Sequence, residues 1–320
     1  MLPFLDVVKS DMEAVNQLII TELNSDVGLV EEIGTYLITA GGKRLRPIVA
    51  LLSARACGYD SDQHVLLATV IELIHTATLL HDDVVDTSEL RRGRHTANNQ
   101  YGNAATVLVG DFLYSRAFQL MVRIGNMAVM RVLADTTNTI SEGEVQQLLN
   151  AGNAQLDEPG YTEVIRKKTA ELFQAAAQTG ALLAGADTTV VTALQNYGHH
   201  LGMAFQLVDD ALDYGGDAGQ LGKNIGDDLA EGKLTLPLIH ALRTAPHADA
   251  TLIRDAIANR QGAALPEVLR IVGACGALDY TLTVARQQAG RARAALAPLP
   301  ASPQQQALCE LAEFAAHRDF

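Results

Sequence analysis

Residues 65–86 read VLLATVIELIHTATLLHDDVVD, and the fold turns on how they are read. From Val65 to His81 apolar residues recur at helical spacing, with Glu72 and His75 set into the run. A stretch of that length and period predicts a long helix buried in a protein core. Directly behind it come Asp82-Asp83-Val84-Val85-Asp86. These acids fall toward the helix C-terminus, where the macrodipole disfavours negative charge, and like charges one turn apart repel. A placement unfavourable on both counts makes sense if cations complete it.

The pentad returns as Asp209-Asp210-Ala211-Leu212-Asp213, again behind an apolar helical stretch, here starting at Tyr197. On a helix the first and fifth residues lie one turn apart on one face, so Asp82 with Asp86, and Asp209 with Asp213, each form a two-carboxylate claw. Mg2+ suits such a claw, because it binds through one or two carboxylates and fills its octahedron with oxygens of a substrate phosphate. Two facing claws would hold a diphosphate between them. A lone acidic pentad reads more simply as a solvated helix end. Duplication argues against that.

No Gly/Ser/Pro-rich linker or abrupt compositional shift divides the 320 residues, so a single domain over 1–320 is expected. Proline is absent from Ile48 through Glu158 and from Gly160 through Leu236, and Ala and Leu abound, which permits long helices. The expected fold is all-α, a large bundle of roughly ten helices around a deep central cavity. A net charge of −13 argues against nucleic-acid binding, which needs a basic face. Cys57, Cys275 and Cys309 are odd in number and in no metal-ligand spacing, as expected of free packing thiols in a reducing compartment. Met1 to Ser10 lacks the charged start and apolar core of a signal peptide, and Glu72 and His75 interrupt the most apolar stretch. No membrane span and a cytoplasmic location are therefore expected.

Basic turns accompany the acids. Gly41-Gly42-Lys43-Arg44-Leu45-Arg46-Pro47 presents three cations at a helix start, suited to an anion. Thr87 to Arg94 forms another basic turn, in which Arg91 and Arg92 can fork onto phosphate oxygens or neutralise the aspartates themselves. Val164 to Leu183 reads as a helix carrying Lys167, Lys168 and Thr169, and Gln206 shares the side of the second pentad. His75, two turns before Asp82, points where the claw points. Gly222 to Lys233 mixes acids and lysines between glycines, as a lid or a solvated connector would. From Thr235 onward only packing is expected. With no nucleophile beside a base, the inventory points to metal-assisted loss of a diphosphate from an apolar substrate.

These motifs, in this order, resemble the all-trans prenyl diphosphate synthases, and most of all the bacterial members that make octaprenyl diphosphate for respiratory quinones. The resemblance rests on Gly41 to Pro47, the pentad at Asp82 followed by Arg91-Arg92-Gly93, Lys168-Thr169, Phe205-Gln206 before Asp209, and Gly222-Lys223 through Lys233. It implies that Lys43, Arg46, His75 and Arg92 hold isopentenyl diphosphate. It also implies that Arg91, Lys168, Thr169, Gln206, Lys223 and Lys233 hold the allylic diphosphate. Asp82, Asp86 and Asp209 would carry magnesium, supported by Asp83, Asp210 and Asp213, with Lys168 and Lys223 joining the catalytic group. The implied protein is a homodimer that ionises the allylic substrate, lets the isopentenyl double bond attack, and loses a proton to the released diphosphate. Product length would follow tunnel depth: Ala77 and Thr78, five and four places before Asp82, are small and leave it open, while Met121 or Met130 would form its floor.

Three rival readings are weaker. A terpene cyclase shares the first pentad but usually has a different second motif and an aromatic-rich pocket, whereas this chain has no Trp and 5% aromatics. His81-Asp82, with His64 or His75 and Asp135, resembles the ligands of helical metal phosphohydrolases, but that leaves the duplicated pentad unexplained. Non-catalytic partner subunits usually lose a claw, and both are intact here.

Overall fold

The computed structural model describes residues 3–39, 41–91, 93–215 and 225–318. The chain divides into two compact units. The first comprises Met1–Thr137, Leu172–Gly198 and Arg293–Leu311, and the second Asn138–Glu171, His199–Ala292 and Ala312–Phe320. The divisions at 137/138 and 198/199 fall inside the continuous helices Met127–Asn150 and Thr188–Gly215. The fold is all-α, as its sequence pattern requires. The described residues depart from helix and loop in one place, a two-stranded hairpin pairing Leu90 with His95 and Arg91 with Arg94. The basic turn after the first pentad is that hairpin.

In the first unit the stretch at 65–86 forms the helix Gln63–Val85. Leu67, Val70, Ile71, Ile74, Ala77 and Leu80 are fully buried on it, each apolar side chain larger than alanine contributing about 1.5–3 kcal/mol as an upper estimate. This helix is long and apolar enough to cross a membrane, but 67% of its apolar window is buried inside the protein. It packs against Lys9–Glu22, Leu45–Ala56 and above all Asn103–Ile124. The last pairing is antiparallel: the Gln63 amide donates to the Ile124 carbonyl at 3.4 Å, and the His81 ring meets the Val107 carbonyl at 3.3 Å.

The second unit has its own core of Tyr161, Met203, Leu207, Leu236, Ile253 and Ile271. The helix expected over 164–183 is interrupted. An α-helix at Glu158–Ile165 passes into a π-helical turn at Arg166–Ala170 before Glu171–Leu183 resumes. Such turns often mark functional positions. This one holds Lys168 and Thr169. Gly143, on the helix Met127–Asn150, makes room for it, since a Cβ there would lie 2.8 Å from the Lys167 Cβ and 3.0 Å from the Lys168 nitrogen. The final helix, Pro303–His317, is followed by Arg318, which is 7% exposed.

Candidate active site

In the first unit the acidic pentad ends its helix. Asp86 is the C-terminal cap, its N–H bonded to the Asp82 carbonyl at 2.8 Å, so the two outer carboxylates sit one turn apart as expected, both half-buried. Asp83 points the other way and is 1% exposed. Arg91 reaches it from the hairpin with two donors, Nε at 2.8 Å and Nη2 at 2.7 Å from Oδ1. Burial pushes the Asp83 carboxyl above the ordinary carboxylate range, and Arg91 only partly offsets this. Arg91 thus serves the pentad itself in this state. Arg92 lies outside the described residues.

The turn at 41–47 presents fewer cations than its sequence suggests. Arg44 adopts a left-handed conformation, φ 50°, and its guanidinium bonds Glu72 on the first-pentad helix and the Ile38 carbonyl at 3.3 Å. Its pairing with a carboxylate that is itself buried removes it from any anion site. Arg46 lies over the Phe173 ring at 4.4 Å and meets His75 Nε2 at 3.2 Å. The structure therefore brings Arg46 and His75 together, with Lys43 half-buried two residues before the helix at Leu45. Ala77 is buried, and the Thr78 hydroxyl donates to the His75 carbonyl at 2.8 Å. Met121, 1% exposed, lies by the antiparallel register near the Gln63 end of the first-pentad helix, and half-buried Met130 follows the turn at Gly125.

The second pentad is wired differently. Asp210 is 3% exposed and accepts from Tyr161 through Oδ2 and from the Gln206 amide through Oδ1 at 2.7 Å. Gln206 in turn accepts from the Thr169 hydroxyl at 2.7 Å. Burial and the nearby Asp228 carboxylate push the Asp210 carboxyl up to about 7, against the bonds from Tyr161 and Gln206. Asp213 is fully buried, and its Oδ2 accepts the Asp228 N–H at 3.3 Å. Asp209 keeps the most open carboxylate of the three, with 37% of its side chain exposed, and is paired with Arg318 at 2.8 Å. Lys168 bonds Glu144 at 2.6 Å, Lys233 pairs with Glu231, and Lys223 lies outside the described residues.

Among the described residues, no three His, Cys, Asp or Glu side chains converge as a protein cage for a metal. The donor set is instead the Asp82–Asp86 pair and, at the second pentad, Asp209 without the Asp213 partner expected of it, since Asp213 is sealed in the core; these hard oxygens fit Mg2+ completing its shell from a phosphate. Two companions that a phosphohydrolase reading would draw on, His64 and His75, are engaged with other partners. His64 is buried against Asp11 at 3.0 Å, His75 meets Arg46, and His81 faces Asp111 at 3.3 Å. Tyr161 and Arg318 are the site residues that sequence reasoning missed. No local pattern marks either, since Tyr161 is 49 residues from Asp210 along the chain and Arg318 is 113 from Phe205.

A cavity of about 800 Å3 elsewhere in the second unit, lined by Asp157, Glu158, Thr162, Ile239, Arg243 and Arg254 among others, touches no pentad residue. A pocket of about 30 Å3 in the first unit borders Arg44, Glu72, Asp83 and Arg91.

The sequence matches the family described as polyprenyl synthetase over residues 27–272. It is 51% identical to octaprenyl diphosphate synthase of Escherichia coli (strain K12) over 315 residues, 98% of each chain. It is 46% identical to an all-trans-nonaprenyl-diphosphate synthase (geranyl-diphosphate specific) of Rhodobacter capsulatus, covering 97% of this chain and 96% of that one. The crystal structure of polyprenyl synthase from Caulobacter crescentus CB15, complexed with calcium and isoprenyl diphosphate, matches with a TM-score of 0.97 at 46% identity, covering 99% of this chain and 98% of that one.

Proposed function

The chain belongs to the polyprenyl synthetase family and is a prenyltransferase, and from that premise we propose that it builds all-trans-octaprenyl diphosphate for a quinone side chain. It does so by repeated condensation of isopentenyl diphosphate with an allylic diphosphate such as farnesyl diphosphate. The observation that carries this reading is the 51% identity with an octaprenyl diphosphate synthase across 98% of both chains.

In this proposal Asp82, Asp86 and Asp209 would hold Mg2+, which when bound would neutralise charge on the departing diphosphate. Asp83, Asp210 and Asp213 support them from within the protein. Lys168, Thr169, Gln206, Lys223, Lys233 and Arg91 bind the allylic diphosphate and turn its C1 toward the second substrate. Lys43, Arg46, His75 and Arg92 bind isopentenyl diphosphate, and the 3.2 Å contact between Arg46 and His75 supports a shared anion site. The isopentenyl double bond attacks the allylic cation, and a proton leaves to the released diphosphate. A protein base is not needed.

The whole chain acts as one domain, a reading supported by helices that run unbroken through the divisions at 137/138 and 198/199. It works as a homodimer. Leu108, Phe118, Val122 and Met127 are exposed in the first unit, and Val145, Leu148 and Leu149 in the second, as apolar surface for a second copy. A reducing, cytoplasmic setting suits the three free cysteines, of which Cys57 has its thiol pushed up to about 11 by burial and by Asp187.

Tunnel depth constrains the product. Nineteen residues of helix from Asp82 back to Gln63 span about 28 Å, whereas eight isoprene units at roughly one helical turn each need about 40 Å. With Met121 as its floor, an octaprenyl tail therefore bends within the tunnel. The test is chromatography of labelled products from purified protein given farnesyl diphosphate, isopentenyl diphosphate and Mg2+. A ladder ending near eight units is expected, shifting longer in Met121→Ala. Short products would sink the octaprenyl assignment, and no product without a second protein would make this chain a partner subunit. An unchanged ladder in Met121→Ala would remove Met121 as a floor.

A further inference from the structure

The last described residue is built into the second pentad. Arg318 continues the helix Pro303–His317, its N–H bonded to the Phe314 carbonyl at 3.1 Å. From there its guanidinium lies over the Phe205 ring at 3.8 Å, donates to the Phe205 carbonyl at 2.7 Å and pairs with Asp209 Oδ1 at 2.8 Å. Phe205 and Asp209 are one turn apart on the helix Thr188–Gly215, so the guanidinium lies along a single strip of that helix. Only 2% of the Arg318 side chain is exposed, and its buried Nε has no hydrogen-bond partner among the described residues.

A buried guanidinium with an orphaned donor is tolerated here because a carboxylate faces it. Asp209 is also the residue through which the second pentad would take a cation. A divalent ion and a guanidinium on one carboxylate repel strongly at such range. Once the ion neutralises Asp209, burial of Arg318 loses its compensation. We propose that Arg318 is the resident counter-ion of the second pentad, displaced from Asp209 by the incoming divalent cation, so that cation loading unlatches the end of the C-terminal helix. This rests on the reading of Asp209 as a magnesium ligand and deepens it.

The experiment titrates Mg2+ with inorganic diphosphate into the full-length protein by calorimetry, in an Asp82→Asn background that leaves the second pentad to report. Arg318→Gln is expected to bind Mg2+ about 5- to 10-fold more tightly, since a competing cation is gone. In the unaltered protein, hydrogen exchange in the peptide spanning 312–320 is expected to quicken several-fold on loading. Weaker binding in Arg318→Gln, or exchange that stays flat or slows, would overturn the proposal and make Arg318 a fixed orienter of Asp209. Normal binding with no effect of Arg318→Gln defeats the exchange idea while leaving the magnesium reading intact. No binding in either form defeats both. Should Arg318→Gln fail to fold, the exchange measurement decides.

Discussion

The two pentads share the pattern DDxxD and almost nothing else. At the first, Asp82 and Asp86 stand one turn apart at the end of a helix, and the middle acid is held by an arginine from a neighbouring hairpin. At the second, the fifth acid is fully buried, the middle one is held by neutral donors, and the first alone keeps a partly open carboxylate. One is a two-armed claw whose middle carboxylate is paired with Arg91. The other is one-armed, with a middle carboxyl near neutrality. Repetition in sequence therefore specifies a common position on a helix, while the surroundings decide which acids face outward and which are buried.

The largest effects should separate outward from inward acids. Asp82→Ala and Asp209→Ala are each expected to lower kcat/KM by roughly 10^3-fold, because in the proposed mechanism each would remove a cation ligand at the developing diphosphate charge. Asp213→Ala should act mainly on folding, costing about 1–3 kcal/mol through the orphaned Asp228 N–H. Steady-state kinetics beside denaturant melts would show it, and a purely catalytic loss in Asp213→Ala would make the two pentads equivalent after all.

An intermediate effect tests how the middle acids are held. Arg91→Gln leaves Asp83 buried without its counter-charge and should cost about 2–3 kcal/mol, toward the low end because the Arg91 side chain is 35% exposed. Tyr161→Phe removes a hydroxyl donor from Asp210 while leaving the Gln206 amide in place, and should cost about 1–2 kcal/mol. Equal losses in urea melts would erase the contrast between charged and neutral support.

The smallest effect is a slope. The Asp210 carboxyl is raised from 3.8 to about 7, so below pH 4 folded and unfolded chains are both protonated there and its full contribution is present. As pH rises toward 7 the unfolded chain has lost that proton while the folded one retains it. Stability from this group is therefore lost with rising pH through about 7. Without divalent cations, the Tm of the natural protein should fall across pH 5–7 by more than that of Asp210→Asn. Parallel curves would mean that Asp210 is ionised throughout.

Much of this was legible in residues 65–86, where length, period and the acids at the end specified a buried helix terminating in carboxylates. The same reasoning took all three cations of the turn at 41–47 as outward-facing. Arg44 is instead drawn to Glu72, because a buried carboxylate 28 residues away outweighs exposure to solvent. The helix expected over 164–183 carries a π turn under Lys168 and Thr169, an irregularity set against the close approach permitted by Gly143. And the last third, which reads as packing alone, supplies Arg318 to the second pentad.

The sequence by itself determined the helical class, the placement of both pentads on helices and the family, since hydrophobic period and ordered motifs are properties of a linear string. Which carboxyl burial pushes upward, which aspartate is sealed in the core and which arginine answers it were decided only by tertiary structure. Burial and Coulomb interaction depend on distances between residues as far apart in the chain as Tyr161 and Asp210 or Asp209 and Arg318, and no local pattern encodes those distances.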